Sequence, residues 1–391
     1  MFLNKREEDI LEGEEGPSKQ KSMEILVELG EIYDANKLID IKSAQVSGVS
    51  YKTIGDAGLE FIKDIASTDE EVEVKTTLNP AGIDIEKWKE LGISRDFAEK
   101  QMQIIDLFEQ IGIETSCSCT PYLIGNKPKK GEHVAWAESS AVSYCNSVLG
   151  ARTNREGGPS ALASALIGKT PNYGYHLDRN READYSIRVE EELSRSDYGS
   201  LGKIVGKKVE DSVPYFNLKS EPNKDELKAL GASMAATGAV ALYHVDKITP
   251  EYKETKIPDE EIVIEKEEIK NEFNKNLNDV DLIAIGCPHL SNKELQNIYK
   301  EIEDKEIKKK LWVFTARKTS EKNKKLISKL EEKGVKVVMD TCMVVSPLRE
   351  IGINKVMVDS GKASFYLPSL NEVDAVYSST EKCLKEATRE D

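Results

Sequence analysis

Hydrophobic and polar residues follow clear periods along this chain, and the pattern is strongest in its last third. Four short apolar runs, each bounded by polar residues, predict buried strands at 281–286, 311–315, 335–340 and 355–359. Amphipathic segments at 291–304 and 319–333 predict helices between them. Strands that alternate with helices are typical of right-handed βαβ units, so this third predicts a parallel sheet.

The first two thirds contain the same two kinds of segment in a less regular order. Residues with helical spacing, or runs of small residues that allow close packing, predict helices at 19–35, 55–67, 93–109, 136–150 and 158–168. Short apolar or alternating runs predict strands at 38–43, 71–77 and 236–245. The fold class that these elements predict is α/β.

Shifts in composition divide the chain into four parts. Residues 1–37 predict a charged, helical lead-in, and 38–250 predict a long α/β region. Residues 251–279 hold many Lys and Glu and few aromatics, which favours a solvated connector. Residues 280–391 predict a separate α/β domain.

The charge balance excludes some classes of protein. The chain has 391 residues, of which 55 are Lys or Arg and 70 are Asp or Glu, so its formal net charge is −15. Nucleic-acid-binding proteins normally carry a basic face, so this balance argues against such a partner. No segment approaches the ~20 consecutive apolar residues of a membrane helix, and the N-terminus is too acidic for a secretory signal. We therefore expect a cytoplasmic protein with no membrane partner.

Six cysteines are spread along the chain without a CxxC pair. They are too few for a disulfide scaffold in a chain of this length. Their spacing matches neither a zinc ribbon nor a ferredoxin-type cluster motif. Any metal site built from them must therefore join distant segments.

Chemically active residues directly follow the predicted strands. The four strands of the last third are followed by Cys287, Arg317, Cys342 and Lys362, and Cys119 follows another strand-like run. Ligands bind just beyond the carboxyl ends of strands in open parallel sheets. We therefore expect the three thiols to converge on one point.

The alternative for each cysteine is a role in packing, because a free cysteine most often behaves as a small buried hydrophobe. Cys145 lies in a helix of small residues and Cys383 in a charged C-terminal helix, so packing is the simpler interpretation for both. Cys117 lies in the same loop as Cys119 and competes with it as a ligand. Three thiolates, rather than four, would leave one iron of a cubane cluster open for Lewis-acid chemistry, which suits elimination of water better than electron transfer.

Three loops have the composition of anion-binding sites. Residues 153–160 place glycines before a predicted helix, with Arg152 and Arg155 nearby. Backbone N–H groups and the helix dipole favour a carboxylate or phosphate there, although an ordinary turn and cap is the alternative. The loops at 47–50 and 78–80 follow predicted strands and are similar candidates.

Other motifs carry less information. Glu138 and Ser139 open a predicted helix, where capping is the simpler interpretation. The four histidines have no metal-binding spacing, and His289 is of interest only because it lies near Cys287. The chain has no P-loop, GxGxxG, GxSxG or HExxH motif, which argues against NTPases, dinucleotide dehydrogenases, elbow-type serine hydrolases and zincins.

Several longer motifs together resemble a known family. They are KSAQVSGVSYKTIGDAGLEFI, TTLNPAGID, CTPYLIG, WAESSAVSYCNSVLGARTNREGGPSALASALIGKTPNYGYHL, GCPH, DTC and SGKASFYL. The sequence resembles the large, catalytic subunit of aconitase X. The resemblance implies an aconitase-like, multi-domain architecture with parallel-sheet βαβ units around a [4Fe-4S] cluster. It implies that Cys119, Cys287 and Cys342 are the three ligands and that one iron stays open.

The resemblance also implies roles for other residues. Residues 38–250 would carry the substrate and one cluster loop, and 280–391 the other two ligands. Lys362 is the candidate catalytic residue, with an ordinary loop lysine as the alternative. The candidate substrate-binding residues are Gly48, Val49, Ser50, Asn79, Pro80, Glu138, Ser139 and Lys362.

The implied activity is dehydration of a small, anionic, phosphorylated hydroxy acid. The unfused length favours the conversion of (R)-5-phosphomevalonate to trans-anhydromevalonate 5-phosphate in the archaeal modified mevalonate pathway. The expected partner is a small swivelling-domain subunit that forms a heterodimer with this chain and supplies the general base, a serine. The alternatives are dehydration of another hydroxy acid, such as cis-3-hydroxy-L-proline, or a non-enzymatic iron–sulfur regulatory protein.

Overall fold

The architecture comes from a computed structural model, which describes residues 1–274 and 279–389. Helices alternate with strands in three successive units, and the strands form three parallel sheets and one two-stranded antiparallel sheet, which confirms the predicted α/β class. None of the described helices is both long and apolar enough to cross a bilayer.

The first unit contains six helices and five strands. Its helices are α1 (Lys5–Leu11), α2 (Pro17–Ile32), α3 (Tyr51–Ala66), α4 (Arg95–Gln110), α5 (Ser139–Tyr144) and α6 (Gly158–Ile167). Its strands are β1 (Leu38–Asp40), β2 (Ser43–Val46), β3 (Lys75–Leu78), β4 (Ala135–Trp136) and β5 (Lys169–Pro171). The predicted helix at 136–150 is shorter than expected, because a strand and a loop precede it and a π-helical turn, Cys145–Leu149, follows it.

A parallel sheet with the order β3-β2-β4 positions the loops of this unit. Val46 at the end of β2 pairs with Leu78 at the end of β3. The segments that follow these two strands, 47–50 and 79–82, therefore emerge side by side. Helix α4 supports them with one apolar face that buries Phe97, Ile104 and Phe108.

The second unit contains strands β6 (Tyr185–Val189), β7 (Pro214–Leu218), β8 (His244–Val245) and β9 (Glu261–Val263) in the parallel order β8-β7-β6-β9. Its helices are α7 (Asp197–Val209), α8 (Lys224–Thr237) and α9 (Lys266–Asn271). The predicted strand at 236–245 is wrong in most of its length, because α8 extends to Thr237 and only the last two residues form a strand. Within the expected connector, β9 joins the sheet by pairing with β6.

The third unit confirms the predicted alternation of strands and helices. Its strands are β10 (Leu282–Ile285), β11 (Leu311–Phe314), β12 (Lys336–Val338), β13 (Lys355–Val358) and β14 (Asp374–Tyr377). Its helices are α10 (Asn292–Ile302), α11 (Arg317–Lys322), α12 (Lys324–Glu332), α13 (Gly361–Tyr366) and α14 (Thr380–Ala387). The helix predicted at 319–333 is two helices, because the backbone leaves helical geometry at Asn323 with φ −124°.

The strand order of this third sheet creates a crevice. The order is β12-β11-β10-β13-β14, and every pair is parallel. The chain therefore reverses its direction across the sheet between β10 and β13, which is the switch point where open α/β sheets bind ligands. Cys287 follows β10, and Lys362 follows β13.

The first and third units share one hydrophobic core. Ile83 and Phe97 of the first unit pack with Phe314 and Val338 of the third. Beside this core, the Ala81 N–H donates to the Asp340 carbonyl oxygen at 2.8 Å. The loop after β3 is thereby fixed against the segment that carries Cys342.

Candidate active site

Three cysteines from two units line one cavity of about 260 Å³, which we call the cysteine pocket. Its walls are formed by Asn79, Pro80, Cys119, Ala137, Glu138, Ser139, Arg155, Cys287, Cys342, Val344, Val345, Lys362, Tyr366 and Leu370. Cys119 lies in the first unit, and the other two cysteines lie in the third. All three are buried, so the fold brings together the thiols that the strand-end argument selected.

Burial and charge set the protonation of these thiols. Burial raises the pKa of Cys119, Cys287 and Cys342 to about 12 each, although the ammonium group of Lys362 acts in the opposite direction on all three. Each thiol is therefore protonated at neutral pH. Binding of a metal centre by this set must displace three protons.

Each sulfur also has a hydrogen-bond donor beside it. The backbone N–H of His289 donates to Cys119 Sγ at 3.2 Å. The Ser360 hydroxyl acts to lower the pKa of Cys287, and the backbone N–H groups at 344 and 345 act to lower that of Cys342. Donors of this kind favour the thiolate over the thiol.

The remaining cysteines belong to hydrophobic cores and do not line the cysteine pocket. Cys117, which shares a loop with Cys119, packs in the core of the first unit and is fully buried. Cys145 begins the π-helical turn and packs in the hydrophobic cluster beside it. Cys383 packs against the sheet of the third unit. Their positions agree with packing roles.

A buried ion pair forms one wall of the cysteine pocket. The Lys362 ammonium, in the first turn of α13, contacts the Glu138 carboxylate. Only 7% of Lys362 and 5% of Glu138 is exposed. Burial disfavours both charges, but the contact outweighs it, so the pKa of Lys362 lies well above its usual value and that of Glu138 below. Both groups are therefore charged at neutral pH.

Glu138 has a structural task as well. Its carboxylate accepts a hydrogen bond from the Ala141 N–H at 2.8 Å and caps helix α5. The capping interpretation from sequence is thus confirmed, and the pairing with Lys362 is an additional contact. The cap fixes the carboxylate, and the carboxylate in turn fixes the ammonium.

Asn79, Pro80 and Ser139 also line the cysteine pocket. The Oδ1 atom of Asn79 is buried and has no hydrogen-bond partner in the described part of the chain. An unpaired buried amide oxygen is costly, so a donor from a bound ligand would be favourable there.

Gly48, Val49 and Ser50 lie behind the wall rather than in it. The Ser50 hydroxyl donates to the carbonyl oxygen of Val345, a pocket residue, at 2.9 Å. Val49 is 1% exposed, in the core of the first unit. Gly48 adopts φ +75°, a conformation that favours glycine. The direct contact of these three residues with substrate stays a prediction.

The arginine that follows β11 does not face the cysteine pocket. Arg317 pairs with Asp340, with Glu86 at 2.8 Å and with Asp84 at 3.3 Å. These contacts join the third unit to the first. Its role is therefore to hold the Cys342 segment in place from outside.

His289 is a site residue whose role the sequence did not predict. The ring is fully buried, and burial lowers its pKa to about 4, so the imidazole is neutral. Its Nδ1 atom lies 3.1 Å from Ser118 Oγ, and its Nε2 atom lies 2.8 Å from the Thr341 carbonyl oxygen. The only signal in the sequence was its position two residues after Cys287.

Comparison with known families agrees with this division into units. Consecutive parts of the chain match the aconitase X first domain over residues 1–179, the second domain over 183–274 and the third domain over 280–389. The chain belongs to the aconitase X family. The three α/β units described above correspond to the three aconitase X domains.

Similar proteins within the aconitase X family match nearly the whole chain. The phosphomevalonate dehydratase large subunit of Methanosarcina mazei is 51% identical, with 99% of this chain and 97% of that protein aligned. That of Methanothermobacter thermautotrophicus is 50% identical, with 96% of each aligned. A crystal structure of Thermococcus kodakaraensis aconitase X in its holo-form superposes with a TM-score of 0.91 at 45% identity, covering 99% of this chain and 100% of that one.

A more distant relative differs in length. The cis-3-hydroxy-L-proline dehydratase of Pseudomonas aeruginosa is 29% identical, and the match covers 94% of this chain but 67% of that protein.

Proposed function

We propose that this chain is the large subunit of a phosphomevalonate dehydratase. The enzyme would be a hydro-lyase that converts (R)-5-phosphomevalonate to trans-anhydromevalonate 5-phosphate in the archaeal modified mevalonate pathway. The observation that carries this proposal is the cysteine pocket, with its buried Lys362–Glu138 pair, in a chain that is 51% identical to such a subunit over 99% of its length.

The donor set of the cysteine pocket fits an iron–sulfur cluster. Such clusters are held by cysteine thiolates, and three buried thiols with hydrogen-bond donors line one cavity. We infer that Cys119, Cys287 and Cys342 would hold a [4Fe-4S] cluster. With three protein ligands, such a cluster would keep one iron without a cysteine ligand and would supply Lewis-acid chemistry toward a hydroxyl group.

The chain's own residues would bind and orient the substrate. The Lys362 ammonium binds the substrate carboxylate and stabilises the negative charge that develops on it when a proton leaves the neighbouring carbon. Glu138 holds this ammonium in place before the substrate arrives, so little reorganisation is needed. The unpaired Oδ1 atom of Asn79 accepts a hydrogen bond from a substrate hydroxyl group.

A second chain would complete the site. The similar proteins are named large subunits, which implies a small partner. This chain covers 67% and 68% of the two related hydroxyproline dehydratases, so those proteins contain an additional part. We infer that a small swivelling-domain subunit takes the place of that part and supplies the serine base.

The test is an activity assay of the two-subunit complex, purified without oxygen. We expect dehydration of (R)-5-phosphomevalonate by the complex and little or none by the large subunit alone. Turnover of cis-3-hydroxy-L-proline but not of phosphomevalonate would replace the proposed substrate. A fully loaded complex that dehydrates neither compound would favour a regulatory protein.

A further inference from the structure

We propose that Arg155 binds the phosphate group of the substrate at the mouth of the cysteine pocket and thereby selects phosphorylated hydroxy acids. This inference rests on the proposed function, since it assigns one part of that substrate to one side chain. It extends the function to a residue outside the candidate substrate-binding set.

The structure separates two arginines that the sequence left equivalent. Arg152 points away from the cysteine pocket, where it pairs with Asp178 and donates to the His176 carbonyl oxygen at 3.1 Å. Arg155 lines the cysteine pocket. Only Arg155 is therefore available to a ligand bound beside the cysteines.

The backbone of Arg155 is fixed, whereas its head is largely free. Its backbone forms a parallel bridge with Trp136, and the N–H of the next residue donates to the Trp136 carbonyl oxygen at 3.1 Å. The guanidinium donates one long hydrogen bond, of 3.3 Å, to the carbonyl oxygen of Ala235. Most of its five N–H donors thus remain for an anion.

Charge also distinguishes Arg155 from the other cation of the cysteine pocket. Lys362 is neutralised by Glu138. Within residues 1–274 and 279–389, Arg155 has no carboxylate within ion-pair distance. A ligand with two acid groups needs positive charge beyond a neutralised pair, and Arg155 supplies it.

Lys362 lies deep in the cysteine pocket and Arg155 at its rim, and this order matches the order of the acid groups along the substrate. Lys362 is buried close to the thiols, and Arg155 is exposed. In 5-phosphomevalonate the reacting hydroxyl and the carboxylate lie toward one end, and the phosphate lies at the other. With the reacting end at the cysteines, the phosphate reaches the exposed rim. A guanidinium there can hold two phosphate oxygens at once.

The experiment measures kinetics and binding on the cluster-loaded two-subunit complex. For Arg155→Gln we expect KM for phosphomevalonate to rise by about 10- to 100-fold, the loss typical of a charge-assisted contact, with a much smaller change in kcat. Arg155→Lys keeps the positive charge but lacks the planar guanidinium that can hold two phosphate oxygens, so its KM should lie between those of the wild type and Arg155→Gln. Turnover of unphosphorylated mevalonate should not change. Arg95→Gln, at an exposed arginine outside the cysteine pocket, is the matched control.

Equilibrium dialysis with phosphomevalonate separates this inference from the proposed function. If the wild type binds the compound in an Arg155-dependent manner but does not dehydrate it, the function is wrong and the inference stands. If the wild type dehydrates it and Arg155→Gln retains the wild-type KM and affinity, the inference is wrong and the function stands. A wild-type complex that neither binds nor dehydrates phosphomevalonate overturns both.

Discussion

The Nε2 atom of His289 lies 2.8 Å from the carbonyl oxygen of Thr341, the residue before Cys342. Across the ring, Nδ1 lies 3.1 Å from the hydroxyl oxygen of Ser118, the residue before Cys119. His289 itself lies in the loop that carries Cys287, the remaining cysteine of the pocket. One buried, neutral side chain therefore connects the three loops that carry the proposed ligands.

We expect His289→Ala to loosen these loops together. The loss of two buried hydrogen bonds and the resulting cavity should lower the free energy of unfolding by about 2–4 kcal/mol, measured by urea denaturation without metal. The content of iron and sulfide per chain should fall as well. His289→Gln, which can still donate and accept, should recover part of both. Wild-type stability and iron content in His289→Ala would contradict this role.

The cysteines should separate into two groups on substitution. Cys119→Ser, Cys287→Ser and Cys342→Ser should each lose most of the cluster, seen as lost visible absorbance and iron content. Cys145→Ala and Cys383→Ala are matched controls, since they also remove buried thiols but lie outside the cysteine pocket. A complete cluster in all three Ser variants would refute the proposed ligands.

Removal of one charge of the buried Lys362–Glu138 pair should lower the free energy of unfolding substantially. Glu138→Gln leaves a buried ammonium without its counter-ion, a change that typically costs about 3–5 kcal/mol. The double variant with Lys362→Met removes both charges and should cost less than the sum of the single variants. The exposed pair Arg95–Glu99, with side chains 84% and 61% exposed, is the control, and its removal should leave the free energy of unfolding almost unchanged because solvent screens the two charges. Equal costs at both pairs in urea denaturation would argue against this account.

Gly286, the residue before Cys287, has a backbone conformation that only glycine adopts easily. Its φ is +113°, and an added Cβ would lie 2.4 Å from the Phe314 carbonyl oxygen of the neighbouring strand. Gly286→Ala should therefore displace the loop and reduce the iron content. Gly352→Ala is the control, because its φ is +81° but nothing lies within 4 Å of the added atom. The control should lose about 1–2 kcal/mol of stability and no iron; an equal effect of both variants on iron would contradict the prediction.

Stability should decrease in acid partly because of His176. Burial lowers the pKa of His176 to about 3 from the ordinary 6.5, and the charges of His133, Arg181 and Arg152 add to this effect. The unfolded chain thus binds a proton below pH 6.5 that the folded chain refuses until about pH 3, so this stabilisation is lost as the pH falls. Between these two pKa values, each unit by which the pH falls lowers the free energy of unfolding by about 1.4 kcal/mol.

The matching experiment compares the wild type with His176→Gln. The variant lacks this titration, so acid should destabilise it less than the wild type. The amount by which its free energy of unfolding falls below that of the wild type should therefore be smaller at pH 5 than at pH 7.5, by about 2 kcal/mol. Urea denaturation at both pH values measures the difference. A deficit that stays constant between them would show that His176 is not the responsible group.

The sequence predicted the third unit well for a physical reason. Buried parallel strands such as Leu282–Ile285 appear as continuous apolar runs, and the helices between them have one apolar face. The post-strand rule then placed Cys287 and Lys362 at the same edge. Family resemblance extended the candidate site to residues whose local pattern shows only a turn or a cap.

Other features were beyond the local pattern. The run at 236–245 contains small and apolar residues that fit a helix end and a strand equally well, and it is mostly not a strand. The pairing of Glu138 with Lys362 and the contacts of His289 join residues far apart in sequence. Such contacts follow from how the units pack, which a single sequence without aligned relatives does not display.

The distribution of the three pocket cysteines over the first and third units has a consequence for biosynthesis. A growing chain exposes Cys119 first, then makes the whole second unit, and exposes Cys342 only after strand β12 of the third unit has been made. The complete set of thiols therefore forms only when the outer two units have met. Insertion of the proposed cluster would thus have to follow synthesis of the chain through Cys342, and a chain that stopped before this residue would present an incomplete site.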